Sequence, residues 1–211
     1  MRDANDPHWG RVAPSYHKDV FSVVGGTAVH EAIVGRLKAE APFGDVLECG
    51  CGTGMYSAVL APLAHRVTAA DCAGPMLSAA AATLQGVGTV ALEQASCEAL
   101  PHRDEVFDAV VMINLIHLLA RPAQALAEAH RVLKPGGRLI LASYTACGMR
   151  RIEILQLGLR YLRAFGLPPR QMRRSFSPDD LRSLAETPGF TVDEAVLIRN
   201  RVNAVYLKAT K

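Results

Sequence analysis

Short apolar runs alternate along the chain with stretches of helical periodicity. Residues 45–49 (Asp-Val-Leu-Glu-Cys) read as a strand, and 53–63 carry the spacing of a helix. Residues 66–70 predict a second strand ending at Asp71, 76–84 an alanine-rich helix, and 87–94 a third strand. Residues 107–113 form an apolar run, continuous but for Asp108, as expected of a strand buried on both faces of a parallel sheet. Residues 122–133 read as a helix with proline in its first turn, Lys134-Pro135-Gly136-Gly137 as a stop and turn, and 138–143 as a fifth strand. Repeated strand–helix–strand units predict a parallel sheet with right-handed crossovers.

The pattern changes after residue 145. Residues 149–165 have helical period, with Glu153, Gln156, Arg160 and Arg163 on one polar stripe and the other faces largely apolar. Gly166-Leu167-Pro168-Pro169 ends that helix. Ser177-Pro178-Asp179-Asp180 has the order of an N-cap, a first-turn proline and first-turn acids. Residues 190–198 and 202–209 read as an antiparallel strand pair turning near Asn200. The N-terminal 40 residues look helical after Thr27, with a break at Gly25-Gly26. The sequence therefore reads as one domain: a helical cover over 1–40, a core over 45–145, an insertion over 146–189 and a terminal strand pair over 190–211. The expected fold class is α/β, a Rossmann-like sheet of seven mostly parallel strands with helices on both faces and the last strand antiparallel.

Composition removes several classes. Half of the 211 residues are hydrophobic and the net charge is +3, which excludes a disordered chain. The longest apolar-looking run, 109–120, contains Asn114 and His117 and is too short for a membrane span. The first residues show no signal-peptide core, so stable membrane insertion is not expected and the expected location is the cytoplasm. Five cysteines without a C-x-x-C pair argue against a disulfide framework and a zinc site. Residues 1–148 hold 11 Lys/Arg against 14 Asp/Glu, and 149–211 hold 12 against 6. This imbalance is local, with seven arginines between 150 and 174, and falls short of a nucleic-acid binder.

The candidate chemistry starts at Glu48-Cys49-Gly50-Cys51-Gly52-Thr53-Gly54. A strand runs into a glycine turn that lets a ligand approach the backbone, and then into a helix. Asp71 follows Gly50 by 21 positions and ends the neighbouring strand, where a carboxylate can accept both hydroxyls of a ribose. A dinucleotide loop needs G-x-G-x-x-G; here the spacing is G-x-G-x-G and position 55 is Met. Glu48 ahead of the turn would repel phosphates and suit a cationic amino group. The ligand is read as a nucleoside bearing an amino group, and a nicotinamide oxidoreductase is disfavoured.

These features resemble the class I S-adenosylmethionine-dependent methyltransferases, and residues ~45–143 are similar to the UbiE-like, type 11 group. Glu93 to Pro101 resembles the family segment after strand three, with Ser96 where the family usually has an acid near the adenine amino group and Cys97 at the next position. Phe107-Asp108-Ala109-Val110-Val111, Asn114-Leu115-Ile116-His117 and Arg131 to Gly137 resemble three further family segments. Trp9, Ala13 and Tyr16 resemble the aromatic segment that folds over the cofactor. The resemblance implies S-adenosyl-L-methionine as cofactor and direct in-line methyl transfer, with no covalent enzyme intermediate. It implies cofactor contacts from Tyr16, Glu48, Gly50, Cys51, Gly52, Thr53, Gly54, Asp71, Cys72, Met76, Ser96, Cys97 and Asn114.

His117, after the fourth strand, is the candidate base for an acceptor that must lose a proton; it could instead be structural. Tyr144 and His102 are weaker candidates. Cys51, Cys72 and Cys97 fall at three strand ends, which suggests either a soft-metal site or small apolar residues; no metal is expected. The acceptor is expected to be a small molecule, hydrophobic or anionic. Residues 149–176 read as a lid whose arginines, such as Arg173 or Arg174, attract an anionic group, as a lipid-surface helix, as a homodimer face, or as a helix packed on the domain. The alternative to an enzyme is a non-catalytic sensor or assembly protein that binds the same cofactor or its product.

Overall fold

The computed structural model describes residues 7–166 and 174–211. Its centre is a seven-stranded sheet of β1 (Phe43–Cys49), β2 (Ala64–Asp71), β3 (Val90–Gln94), β4 (Phe107–Ile113), β5 (Leu133–Thr145), β6 (Thr191–Ile198) and β7 (Asn203–Thr210). The order is β3-β2-β1-β4-β5-β7-β6. The first five strands pair in parallel, and β7 runs antiparallel to both β5 and β6. The strand order reverses between β1 and β4, and in open α/β sheets the crevice at such a switch point takes the ligand.

Both faces of the sheet are covered. On one, Leu47, Val110, Met112, Leu139 and Leu141 pack against α6 (Pro122–Val132) and α8 (Pro178–Glu186). On the other, Val46, Val67, Val111 and Ile140 pack against Ile33 and Leu37 of α3 (Ala28–Glu40) and Tyr56 and Leu60 of α4 (Met55–Leu60). Alternation along β1 sends Val46 and Leu47 to opposite cores. A third cluster caps the carboxyl edge. There Trp9 and Val12 of α1 (Pro7–Val12) and Val23 of α2 (Tyr16–Val24) meet Met76 of α5 (Gly74–Thr83) and Phe165 of α7 (Arg151–Phe165).

Several boundaries differ from the sequence reading. The helix expected over 53–63 is only α4, because Gly54 takes a left-handed φ of +85° and Thr53 belongs to the turn. Lys134 to Gly137 do not stop the chain. They bulge within β5, where Leu133 pairs with Phe107 and Arg138 with Ala109. The backbone of Lys211 closes this bulge, bonding Gly136 and Gly137 at 3.0 Å each. The chain is helical from Pro7, well before Thr27, while the expected break stands: Gly25 caps α2 at φ +81°. Ser177 caps α8 and Pro178 opens it, as expected. On α7 the apolar positions Ile152, Leu155, Leu159 and Leu162 face solvent, whereas polar Glu153 and Arg160 are half-buried. The expected stop at 167–169, the role of Arg173 and the reading of the first six residues lie outside the described residues.

Candidate active site

The glycine turn after β1 is built by three left-handed residues, Gly50, Gly52 and Gly54, at φ +71°, +56° and +85°. Gly50 and Cys51 both donate to the carbonyl of Ala70, at 2.7 and 3.0 Å, which wraps the turn around the end of β2. Asp71 braces it from the next strand: its Oδ2 accepts from Gly52 N and its Oδ1 from Ala73 N, each at 2.9 Å. The Thr53 hydroxyl hydrogen-bonds His17 Nε2, so α2 is tied to the turn. Burial, aided by His30, holds the His17 imidazole below its usual range and favours the neutral ring.

A cleft lies over this turn. Its floor is Gly50 to Thr53, its sides are Asp71, Cys72, Met76 and Asn114, and its roof is Trp9, Tyr16 and Val20. The cleft shares Tyr16, Asn114 and Leu118 with a larger cavity of about 550 Å³. That cavity is mostly apolar, walled by Val23, Leu157, Tyr161 and Phe165, with His117, Tyr144, Arg174 and Ser175 as polar points. Asn114 stands at the junction with φ +56°, unusual for a residue with a side chain. Its Oδ1 accepts from Tyr144 N at 3.2 Å, which ties the ends of β4 and β5 together. Burial raises the phenol of Tyr16 and pushes that of Tyr144 up to about 12, so both stay protonated at neutral pH.

Of the residues expected at the cofactor, Tyr16, Gly50, Cys51, Gly52, Thr53, Asp71, Cys72, Met76 and Asn114 all line the cleft. Four stand back from it. Gly54 caps α4 against Leu84 and Ala80. Cys97 is buried in the core beside Leu100, and Ser96 Oγ accepts from Glu98 N at 3.3 Å in the turn after β3. The nearby Glu98 carboxylate does not substitute for the missing acid, being held by the backbone and guanidinium of Arg121 at 2.8 and 3.1 Å.

Glu48 is the fourth. It is buried beneath the turn, and Ser57 Oγ donates to its Oε2 at 2.5 Å. Burial pushes its carboxyl up to about 7, against the pull of the Ser57 bond. The folded protein thus holds a proton that the unfolded chain releases near pH 4.5, so stability falls as pH rises through that window up to about 7. Glu48→Gln is expected to raise the unfolding free energy by roughly 2–3 kcal/mol at about pH 8 and to change it little near pH 5. Chemical denaturation at the two pH values checks this; equal effects at both would contradict it.

His117 lines the cavity rather than the cleft, and its Nδ1 lies 2.7 Å from Ser143 Oγ. His102 lies away from both, against Phe107 and Glu93. Burial raises the thiols of Cys49 and Cys51 and pushes that of Cys97 up to about 12. No metal-holding cluster occurs among the described residues. The sequence reading missed Tyr56, which lines the cleft and whose buried hydroxyl has no hydrogen-bond partner, as well as His17 and Ser143. The signal for His17 was its adjacency to Tyr16; Tyr56 gave none beyond following the turn.

Residues 47–141, from β1 through most of β5, match the family described as the methyltransferase domain. This segment is a class I methyltransferase domain. The chain is 35% identical over 114 residues to the demethylmenaquinone methyltransferase of Clavibacter sepedonicus, covering 53% of this chain and 46% of that protein. It is 28% identical over 184 residues to the ubiquinone biosynthesis O-methyltransferase of Caulobacter vibrioides, covering 82% and 71%. Among solved structures, an S-adenosylmethionine-dependent methyltransferase from Thermotoga maritima superposes with a TM-score of 0.70 at 24% identity, covering 97% of this chain and 98% of that one. The chain spans about half the length of several curated relatives it matches. S-adenosylmethionine is the methyl donor of the class, and the residues of this methyltransferase domain fit it. A Cβ on Gly52 would meet nothing within 4 Å, so the turn offers bare backbone to the cleft.

Proposed function

We propose that the chain is an S-adenosylmethionine-dependent methyltransferase whose acceptor is a small, largely apolar molecule. The observation that carries this reading is the junction at Tyr16, Asn114 and Leu118, where the cleft on the glycine turn meets the apolar cavity of about 550 Å³. Two joined compartments suit a donor and an acceptor held in line. A sensor would need only the first. The named activities of the two curated relatives, in menaquinone and ubiquinone biosynthesis, support a ring-sized apolar acceptor.

When bound, S-adenosylmethionine supplies an electrophilic methyl group carried on a sulfonium. The chain's part is placement. The Gly50–Gly54 backbone forms the floor, Asp71 takes the ribose hydroxyls, and Met76 and Cys72 flank the base, with Ser96 and Cys97 behind them. Glu48, when ionised above about pH 7, contributes negative potential from beneath the turn toward a cationic amino group. Tyr16 and Asn114 hold the junction, where the protonated Tyr16 phenol can donate to a carboxylate. Val23, Leu157 and Phe165 exclude water from the acceptor. His117 takes the acceptor's proton, and the guanidinium of Arg174, which also reaches the Leu119 carbonyl at 3.2 Å, favours an acceptor carrying negative charge.

Gly158→Phe tests the two-compartment reading. Gly158 lines the cavity, and a Cβ there meets nothing within 4 Å, so the larger ring fills acceptor space without crossing the cleft. With a panel of phenols, quinols and amines and an isotope-labelled methyl donor, the wild type is expected to methylate an apolar ring compound. The variant is expected to lose about tenfold or more of kcat/KM for it, at unchanged donor affinity. Methylation that survives the filled cavity, or no turnover with any acceptor, would overturn the reading.

A further inference from the structure

Methyl transfer uses the inner side of α7 and leaves its outer side unexplained. Ile152, Leu155, Leu159 and Leu162 recur at three- and four-residue steps and form one stripe. That stripe faces solvent, with exposures of 54%, 59%, 47% and 43%. At ~100° per residue, Arg151 and Arg163 lie about 60° to either side of its midline, and both are exposed. Residues 150–174 carry seven arginines, with Glu153 as the single acid. Glu153 is spent on Arg150, at 2.7 Å, at the start of the helix. No single helix among the described residues is long and apolar enough to cross a membrane.

An apolar stripe bordered by arginines on a helix lying along the surface suits the boundary between acyl chains and anionic headgroups. A second copy of the chain fits it worse. Two-fold antiparallel pairing that sets Leu155 on Leu159 and Ile152 on Leu162 also sets Arg151 on Arg163, since all three pairs share one register. The like charges would then oppose each other at both ends of the contact. We propose that α7 docks the protein on a lipid surface bearing anionic headgroups, with the leucine stripe in the acyl boundary and Arg151 and Arg163 on the phosphates. Leu162, at the edge of the stripe, also lines the apolar cavity together with Ile154 and Gly158 of the same helix, so the docked face borders that cavity.

The test is flotation of the full chain with phosphatidylcholine vesicles, with and without phosphatidylglycerol. It contains neither methyl donor nor acceptor, so its outcome is independent of whether the methyl-transfer reading holds. The wild type is expected to partition about tenfold or more in favour of the anionic vesicles at low salt. Leu155→Asp with Leu159→Asp is expected to abolish flotation, and Arg151→Glu with Arg163→Glu to remove the anionic preference. These side chains are exposed and line neither compartment, and unchanged circular dichroism would verify the fold. Three outcomes would overturn the proposal: no flotation of the wild type, flotation equal in the leucine double variant, or a dimer that the leucine variant dissolves without any vesicle binding.

Discussion

Asp71→Ala is expected to lower the affinity for S-adenosylmethionine by about 100-fold or more while the protein stays folded. The carboxylate holds the turn through Gly52 N and starts α5 through Ala73 N, and it lines the cleft where the ribose is proposed to lie. A hydrogen bond to a charged group contributes roughly 1.5–3 kcal/mol, and tenfold in affinity is about 1.4 kcal/mol. Loss of two ribose bonds therefore passes ~100-fold before any loosening of the turn is counted. Asp71→Asn keeps an acceptor oxygen but not the charge and is expected to fall between. Calorimetric titration with S-adenosylhomocysteine measures both; an unchanged dissociation constant in folded Asp71→Ala would remove the ribose assignment.

His117→Ala is expected to cut kcat by about 100-fold or more on an acceptor that must lose a proton, with donor affinity unchanged. Ser143 Oγ lies 2.7 Å from His117 Nδ1 and 3.3 Å from the Tyr144 carbonyl. A serine that accepts from Nδ1 leaves Nε2 as the basic nitrogen, and this is the tautomer the proposed role requires. Ser143 is a positioning residue in this account: Ser143→Ala is expected to shift the pH profile of kcat while leaving KM for the donor unchanged. Steady-state kinetics with the acceptor found by the panel would check both. Full activity in His117→Ala would make the histidine structural.

The parts of the site that a sequence states locally were legible. The run 107–113 gave β4 to the residue, because from Ala109 to Ile113 both faces of the strand are buried and Asp108 is the one polar position in it. The glycine turn was legible because its spacing demands left-handed φ, and Asp71 because it closes the next strand. The cover was only half legible, since Gly10 and Pro14 interrupt the period of the first helices. Lys134 to Gly137 read as a turn because the pairing that makes them a bulge comes from Phe107 and from Lys211, far away in sequence. Glu48 shows how far local reading reaches. Its place ahead of the turn was clear, but two-residue alternation sets it on the Val46 face, against Ser57 of α4 rather than in the open cleft. The cavity was not legible, because it is enclosed by α2 and α7, which touch only in the fold.

The cleft over residues 50–54 is defined most directly by the ligand it binds. Titrating the wild-type protein separately with S-adenosylmethionine, S-adenosylhomocysteine and NAD decides it. Saturable binding of the first two, with dissociation constants on the order of micromolar, and no heat from NAD is the predicted result. Saturable binding of NAD, with none of either sulfur nucleoside, would contradict it.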